Sequence, residues 1–384
     1  MREDELSFGP VKKARFLERP NRFLVRCRLG ARRVVEAFLP NPGRLWELLP
    51  PGAVLYLKAE TRAHRRVSDR RTLYTVLAVE REGEPVFLET HLTNRVVRFL
   101  IEKRRIPPLA DARVIRSEVP VGRSRFDFLI ERDGRETYLE VKSCTLFGNR
   151  VAMFPDAVTE RGRGHLIELA SQARRGSRPV VLFLVHTPRA RWFMPDYHTD
   201  LAFSQTLLEV RRKLDILPVA VQWKPDLSLA RKVRILEIPW SYLRRVVQDR
   251  GSYLLLLRLD RTRRVETGRM GARTFPRGYY LYVGSAIRNL SARIARHSRI
   301  RKKLHWHIDF LRLHADGFVA LPIRSPRRSE CEIARAFSEL YRRGPDGFGA
   351  SDCDCPAHLF WHSANPLDSP SFHAVLQRFR MAPP

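Results

Sequence analysis

Two strand-like segments separated by one short turn constrain the fold of this chain more than any other feature of its sequence. Residues 124–130 and 138–142 are both rich in apolar and aromatic side chains, and the turn between them contains Asp133-Gly134. An Asp-Gly pair between two such runs is the strongest short signal for a β-hairpin. Pairing of the two strands would bring Asp127 and Glu140 side by side.

The side chains on this predicted hairpin are typical of a metal-dependent nuclease. Two carboxylates that lie side by side on paired strands can share one Mg2+ or Mn2+, because both ions prefer oxygen ligands. Lys142 lies two residues after Glu140, so the pleat places it on the same face, where it can point at a phosphate. Glu118 precedes the hairpin in a strand-like stretch and is a further candidate metal ligand. The alternative is that Asp127 and Glu140 form salt bridges with nearby arginines.

The net charge of the chain indicates a polyanionic partner. Its 384 residues include 71 Lys and Arg against 41 Asp and Glu, which gives a net charge of +30. Such a field attracts nucleic acid, and DNA is the expected partner, although charge alone does not exclude RNA. An arginine-rich composition with solvated charges is the alternative.

The cysteine count and the apolar runs bear on the compartment of the chain. Five cysteines are an odd and sparse number, which argues against a secreted disulfide scaffold. The sequence starts without the apolar core of a signal peptide, and the apolar run at 180–185 is too short to cross a bilayer. We therefore expect a cytoplasmic protein without a membrane partner.

The order of strand-like and helical patterns predicts a multidomain chain of α/β and α+β classes. Residues 1–89 read as short strands broken by turns, which fits a small β-barrel of the OB type that binds nucleic acid. Residues 90–223 alternate helices with strands and predict an α/β domain. Residues 224–250 are expected to be a linker with one short helix, and residues 251–384 to form a third domain.

Residues 7 to about 222 closely resemble the sugar fermentation stimulation protein family. The segments that carry this resemblance are residues 14–23, 39–48, 122–128, 140–146 and 154–162. The resemblance implies an OB-like barrel followed by a PD-(D/E)XK nuclease-like domain, DNA binding and a role in regulating sugar metabolism. It also implies that Asp127 and Glu140 ligate Mg2+ and that Lys142 stabilises the attacking water or the charge on the phosphate.

The barrel supplies four candidate DNA contacts, which are Arg22, Phe23, Asn41 and Arg44. Arginine pairs with phosphate, and an aromatic ring can stack on an unpaired base. For Phe23 the alternative is packing in the core.

A turn and the helix start that follows it offer Asp156, Arg161 and His165, which could orient DNA or water. Arg161 is therefore a further candidate DNA contact. The alternative for this segment is a capped helix with a surface histidine.

The C-terminal third resembles a domain related to GIY-YIG endonucleases. The segments that carry this resemblance are residues 251–253, 278–285, 293–297, 305–309 and 330–334.

This second resemblance implies roles for several side chains. Tyr253 and Tyr282 would be paired tyrosines, one of them a candidate general base, and Arg293 would contact the scissile phosphate. Glu332 or Glu330 would act in catalysis and hold a divalent metal ion. His297 would contact DNA.

One feature of the C-terminal third departs from the family's pattern. The gap at 254–281 is longer than in the family, which predicts an inserted hairpin. The alternative for the whole domain is a fold that binds DNA without cutting it.

A cluster of possible zinc ligands lies near the C-terminus. Cys353, Cys355, His358 and His362 could hold Zn2+, because zinc prefers thiolate and imidazole ligands. The Cys-x-Cys spacing is tighter than in common zinc fingers, which favours instead a reduced loop with a buried cysteine.

Together these patterns predict a DNA-binding protein with Mg2+-dependent endonuclease activity at Asp127, Glu140 and Lys142. The alternative is a non-catalytic DNA-binding regulator of sugar metabolism genes that uses nuclease-like folds. A nicking assay with a divalent metal ion separates the two hypotheses.

Overall fold

The computed structural model describes residues 5–60, 72–122, 124–174 and 177–384, so Arg123 of the 122–128 segment lies outside it. The chain divides into two compact units. The first contains the residues up to Asp196 and Ala202–Pro239, and the second contains Tyr197–Leu201 and Trp240–Ala382.

The first unit begins with a small β-barrel. Its strands are β1 (Lys12–Asn21), β2 (Leu24–Leu29), β3 (Arg33–Phe38), β4 (Val54–Ala59), β5 (Tyr74–Arg81) and β6 (Glu84–Phe87). They follow the order β3-β2-β1-β4-β5-β6, and an additional parallel pairing of β3 with β5 closes the sheet. Alternate residues such as Ala14 and Phe16 point into the core. The predicted OB-like barrel is confirmed.

One half-buried arginine fixes the loop that follows β3. The Arg19 guanidinium donates hydrogen bonds of 2.7–2.9 Å to the backbone carbonyls of Arg22, Asn41, Gly43 and Arg44. Hydrogen bonds from a charged donor contribute more to the stability of a fold than hydrogen bonds between neutral groups. The segment from Asn41 to Arg44 is thereby held in one conformation on the barrel.

A second sheet forms the centre of the first unit. Its strands are β7 (Arg113–Val121), β8 (Ser124–Arg132), β9 (Arg135–Cys144), β12 (Val180–Val185), β14 (Asp215–Ala220) and β15 (Arg234–Ile235). The order is β15-β14-β12-β9-β8-β7, in which β12 runs parallel to both β9 and β14. Every residue of β12 is buried, as its continuous apolar run predicts. A small sheet of β10 (Leu146–Gly148), β11 (Val151–Phe154) and β13 (Trp192–Pro195) lies in the same unit.

Helices cover the two faces of the central sheet. They are α1 (Thr93–Glu102), α2 (Glu160–Ser171) and α3 (Leu201–Val210). On one face, α1 packs Val97 and Leu100 into a core with Phe128. On the other face, Leu166 of α2 shares a core with Phe16 of the barrel. Barrel and central sheet therefore fold as one compact unit.

The structure divides the segment expected to be a linker. β15 pairs with β14 and so extends the central sheet. The short helix α4 (Trp240–Val246) confirms the helix predicted there, and it belongs to the second unit.

The second unit is an α+β domain. Its strands are β16 (Gly251–Leu259), β17 (Arg263–Glu266), β18 (Ala272–Phe275), β19 (Gly278–Ala286), β20 (Gly317–Arg324), β21 (Arg342–Arg343) and β22 (Leu359–His362). The main sheet has the order β20-β16-β19-β22-β21, and β17 and β18 form a separate hairpin. The helices are α5 (Leu290–Ser298), α6 (His307–Leu313), α7 (Glu330–Ser338) and α8 (Pro370–Arg380). The hairpin predicted within residues 254–281 is confirmed.

None of the helices in the described ranges combines the length and the apolar character that crossing a membrane requires.

Candidate functional sites

The first site lies where the central hairpin stops pairing. The ladder between β8 and β9 runs up to the Phe128–Leu139 pair, and the next residues along the two strands are Asp127 and Glu140. At this point the Asp127 Oδ2 atom accepts the backbone N–H of Val141 at 2.7 Å. A carboxylate therefore takes the place of a strand carbonyl at the end of the ladder.

A third acid lies on the neighbouring strand. The pairing of β7 with β8 places Glu118 across from Asp127. Glu118 has a backbone φ of 53°, and its side chain is 59% exposed, with the Arg125 guanidinium 3.9 Å away. Three carboxylates thus occupy one row across three adjacent strands.

Glu140 is the most buried acid of this row and is only 3% exposed. Its Oε1 atom lies 2.6 Å from Lys142 Nζ and 2.6 Å from His165 Nδ1. Its Oε2 atom is buried and has no hydrogen-bond partner among the described residues. Burial would raise the pKa of Glu140, but the hydrogen bond from His165 and the charge of Lys142 outweigh it and lower the pKa.

Asp127 differs from Glu140 in its proton affinity. Burial and the negative charge of Glu140 raise the pKa of Asp127 to about 6. The hydrogen bonds from Val141 and from Asn94, whose Nδ2 donates to Asp127 Oδ1 at 2.7 Å, work in the opposite direction. Asp127 therefore binds a proton more readily than its neighbour Glu140, whose negative charge Lys142 and His165 offset.

These side chains open onto two cavities. One, of about 1010 Å³, is lined by Asp127, Glu140, Lys142, Arg161 and His165. The other, of about 660 Å³, is lined by Asp127 and Lys142 and also by residues of the segment from Asn41 to Arg44, called here the barrel loop. A ligand in this region would contact both the central sheet and the barrel.

The donor set fits a hard divalent cation. Asp127 and Glu140 offer carboxylate oxygens, and the unpaired Oε2 of Glu140 is an orphaned acceptor that a cation would satisfy. Lys142 and His165 already compensate the other oxygen of Glu140. These residues would hold Mg2+ or Mn2+ by oxygen ligands alone.

The barrel loop presses on the segment that follows β11. A Cβ atom at Gly43 would lie 2.1 Å from Asp156 Oδ2, so only glycine fits there. Burial and the charge of Glu47 raise the pKa of Asp156 to about 6, and the backbone N–H of Arg44 opposes this by donating to its carboxylate. Asp156 therefore anchors the loop.

The four predicted DNA contacts of the barrel have different surroundings. Arg22 and Phe23 are exposed, and at 45% exposure Phe23 is not packed in the core. Arg44 is half-buried, with its guanidinium 5.0 Å from the centre of the Trp46 ring. Asn41 is 6% exposed and its Oδ1 accepts the N–H of Gly43, so its side chain shapes the loop. It also lines the smaller cavity, and its contact with DNA stays a prediction.

The second site lies on two paired strands of the C-terminal unit. The rings of Tyr253 on β16 and Tyr282 on β19 are 6.4 Å apart. Tyr253 Oη lies 3.0 Å from His297 Nε2, and His297 Nδ1 lies 3.3 Å from Asp309 Oδ1. Burial raises the pKa of both tyrosines. Tyr253, His297 and Asp309 therefore lie next to one another among the buried residues of the domain.

Asp309 is the buried anion at the end of this chain. Burial would raise its pKa, but hydrogen bonds from His297, Arg296 and Lys302 outweigh this effect and hold the pKa well below its usual range. Asp309 is therefore ionised and can orient the His297 ring.

The remaining C-terminal candidates, Arg293, Glu330 and Glu332, differ in their effect on the two tyrosines. Arg293 on α5 lies over Trp306 at 4.4 Å, and its charge acts to lower the pKa of Tyr253. The charge of Glu330 acts on the pKa of both tyrosines in the opposite sense, whereas Glu332 is exposed on α7. Of the two glutamates, Glu330 is therefore the one whose charge acts on the tyrosine pair.

Two predicted C-terminal assignments need correction. His297 is 1% exposed, so its ring is not available to a DNA surface and instead positions Tyr253. His362 does not belong to the predicted cysteine cluster. Its place is taken by Cys331, whose sulfur lies close to the ligand atoms of the other three residues. His362 Nδ1 instead lies 2.9 Å from the carbonyl oxygen of Ala364.

Comparison with known proteins identifies all three parts of the chain. Residues 17–88 match the SfsA N-terminal OB domain, 91–227 the sugar fermentation stimulation protein RE domain, and 252–381 a domain of unknown function, DUF123. The sugar fermentation stimulation protein homolog of Chloroflexus aurantiacus is 40% identical over 205 residues, which cover 53% of this chain and 77% of that protein.

The chain belongs to the sugar fermentation stimulation protein family.

Other members extend this comparison. The homolog from Methanosphaera stadtmanae is 35% identical over 242 residues, covering 62% of this chain and 97% of that protein. The structure of Pyrococcus furiosus SfsA in complex with Ca2+ aligns with a TM-score of 0.55 and 29% identity, over 61% of this chain and 97% of that one. The present family member therefore carries the two domains of its relatives and a GIY-YIG-like third domain.

Several side chains of this family member could not be found by sequence reasoning. Asn94 reaches Asp127 from a helix 33 residues earlier, and no local pattern marks it. Arg19 looks like one more surface arginine in the sequence. Asp309 and His297 do lie within the motif segments, but their contact depends on how α5 and α6 pack.

The close approach of Tyr253 to β19 gives a test of the second site. A Cβ atom at Gly284 would lie 2.5 Å from Cζ and Oη of Tyr253. We expect Gly284→Ala to push the ring out of place and destabilise the C-terminal unit by about 1–3 kcal/mol. Thermal unfolding measures this loss. Combining it with Tyr253→Leu should cost less than the sum of the two single variants, and strict additivity would contradict the contact.

Proposed function

We propose that this chain binds DNA and hydrolyses its phosphodiester bonds with a divalent metal ion held by Asp127 and Glu140. The observation that carries the proposal is the buried Oε2 of Glu140, for which the described part of the chain offers no hydrogen-bond partner, next to an Asp127 whose pKa is raised. Without a ligand, the protein would be more stable if each of these two carboxylates were protonated or paired. One bound cation would pair with both carboxylates at once. Perturbed carboxylates in a cavity are typical of functional sites.

The Pyrococcus furiosus relative, whose structure is a complex with Ca2+, supports the binding of a divalent cation by this fold. Ca2+ and Mg2+ both take carboxylate ligands, although Mg2+ demands a more regular geometry. We propose Mg2+ or Mn2+ as the active ion for this chain. When bound, the ion would supply charge stabilisation and lower the pKa of a coordinated water.

The protein's own residues would do the remaining work. Lys142 Nζ uses one donor on Glu140, and its other protons are available for a phosphate oxygen in the cavity. His165 holds the Glu140 carboxylate in place from α2. Glu118 is the third acid of the row and lines both cavities, where it would complete the ion's oxygen ligands.

The barrel supports DNA as the substrate. Arg22 lines the cavity of about 660 Å³ that also contains Asp127, and Arg161 lines the larger cavity. Phe23 presents an exposed ring beside Arg22, as a stacking surface for an unpaired base requires. The net charge of +30 would add a long-range attraction to the phosphates.

The decisive experiment is a metal-dependence assay on plasmid and branched DNA. We expect nicking with Mg2+ or Mn2+ and none with EDTA. In parallel, Mn2+ binding measured by electron paramagnetic resonance should weaken by about tenfold or more in Asp127→Asn. This second measurement does not depend on turnover.

The contrary outcome is equally well defined. If the wild-type protein binds DNA at low salt but leaves every substrate intact with each metal, the endonuclease proposal fails. The alternative hypothesis, a non-catalytic DNA-binding regulator, would then be the better account. Asp127→Asn protein purified in the same way controls for contaminating nucleases.

A further inference from the structure

Three cysteines and one histidine meet in the C-terminal unit, outside both candidate sites. Cys331 lies in the first turn of α7, Cys353 and Cys355 lie in the loop before β22, and His358 directly precedes β22. Their ligand atoms all lie within 4.8 Å of one another, and Cys353 Sγ is 3.5 Å from His358 Nε2. Four ligand atoms from one helix and one loop thus converge on one point.

We propose that Cys331, Cys353, Cys355 and His358 bind one Zn2+. A tetrahedral site with Zn–S bonds of about 2.3 Å separates its ligand atoms by about 3.7 Å. The four atoms already lie close to this spacing, so they need only small adjustments to bind the ion. Soft thiolates select zinc over Mg2+ and Mn2+, and four protein ligands leave no open position. The site is therefore structural.

The surroundings balance the charge of such a site. Three thiolates, one neutral imidazole and one Zn2+ carry a net charge of −1. The cavity of about 440 Å³ beside the sulfur atoms is lined by Arg335 and Arg343, and also by the opposing charge of Asp354. Arg335 lies four residues after Cys331 on α7, so it follows one helical turn later on the same side. A guanidinium is placed to offset the excess negative charge.

The ion would join two elements that border the tyrosine pair. Glu330, next to Cys331 on α7, is one of the acids whose charge acts on Tyr253 and Tyr282. The loop before β22 also packs on Tyr282, because a Cβ atom at Gly349 would lie 2.5 Å from its ring. In addition, the carbonyl of His358 accepts the N–H of Val283 at 2.9 Å. Zinc would fix Glu330 and the loop relative to each other.

This inference does not depend on the proposed endonuclease activity at Asp127 and Glu140. Its readout is metal content and unfolding, so it can succeed or fail separately.

The test is zinc stoichiometry of the full-length protein, purified under reducing conditions and dialysed against zinc. Elemental analysis should find one Zn2+ per chain in the wild type. Cys331→Ser should weaken zinc binding by more than about 100-fold, since even outer partners of a metal site contribute 10- to 100-fold. His362→Gln is the matched control and should keep its zinc, although His362 is close to the cluster in sequence.

A second measurement guards against a variant that fails to fold. Wild-type protein stripped with a chelator should unfold at a lower temperature and recover when Zn2+ is restored. Replacement by Co2+ should give the visible spectrum of tetrahedral thiolate coordination. Wild type without zinc, Cys331→Ser with full zinc content, or a disulfide among these cysteines would each overturn the proposal.

Discussion

Exchange of Glu140 for glutamine is expected to lower DNA nicking on the order of 10³-fold. Glu140 is the central contact of the site. Its Oε1 atom binds both Lys142 and His165, and its Oε2 atom, which has no partner among the described residues, faces the proposed ion. Glutamine keeps the shape but loses the charge, and its amide would present a donor to Lys142 or His165. Mn2+ affinity should fall about 10- to 100-fold in the same variant.

The matched control is Glu136→Gln on the same strand. Glu136 is exposed and lies four residues before Glu140, so the exchange is chemically identical outside the cavity. We expect unchanged nicking and unchanged Mn2+ binding for it. If Glu140→Gln cuts DNA at the wild-type rate, then the central hairpin does not carry the activity.

Replacement of Gly43 by alanine is expected to detach the barrel loop from the central domain. The added Cβ would lie 2.1 Å from Asp156 Oδ2 and 2.8 Å from Asp156 Cγ, and that side chain is itself held by the backbone of Arg44. Neither side can move easily, since Arg19 fixes the loop from behind. Overpacking of this size costs about 2–3 kcal/mol. Chemical denaturation measures the loss.

Gly164→Ala is the control for the Gly43 variant. Gly164 lies in α2, where a Cβ atom would meet no atom within 4 Å. Alanine in a helix is favoured over glycine by up to about 1 kcal/mol, so this variant should be neutral or slightly more stable. The loop displacement should also weaken DNA binding in Gly43→Ala alone. Equal stability of the two variants would contradict the contact.

Local sequence patterns predicted the strands and the hairpin well. The apolar run of β12, the Asp-Gly turn and the alternation along β8 and β9 each reflect a period that can be read from consecutive residues. The position of Asp127 beside Glu140 follows from the turn alone, because a hairpin turn sets the register of both strands. The hairpin between β16 and β19 was similarly visible as excess length.

Contacts between distant elements could not be predicted in this way. Cys331 precedes Cys353 by a helix and a strand, so spacing favoured His362 in its place. The burial of His297 depends on how α5 packs against β16, and its sequence only shows a histidine near the end of a helix. Arg19 gives no local signal that its guanidinium binds four carbonyls. Such interactions are decided by tertiary packing, which leaves no period in the sequence.

The bond between Asp127 and the backbone of Val141 affects how relatives should be compared. Because that carboxylate accepts a backbone N–H at the end of a strand, a relative that does not cut DNA would still need an acceptor there to keep its sheet intact. Retention of an acid at this position is therefore weak evidence of catalysis. The backbone does not need the side chains of Glu140 and Lys142 in this way. The joint loss of both side chains would therefore mark relatives that bind DNA without cutting it.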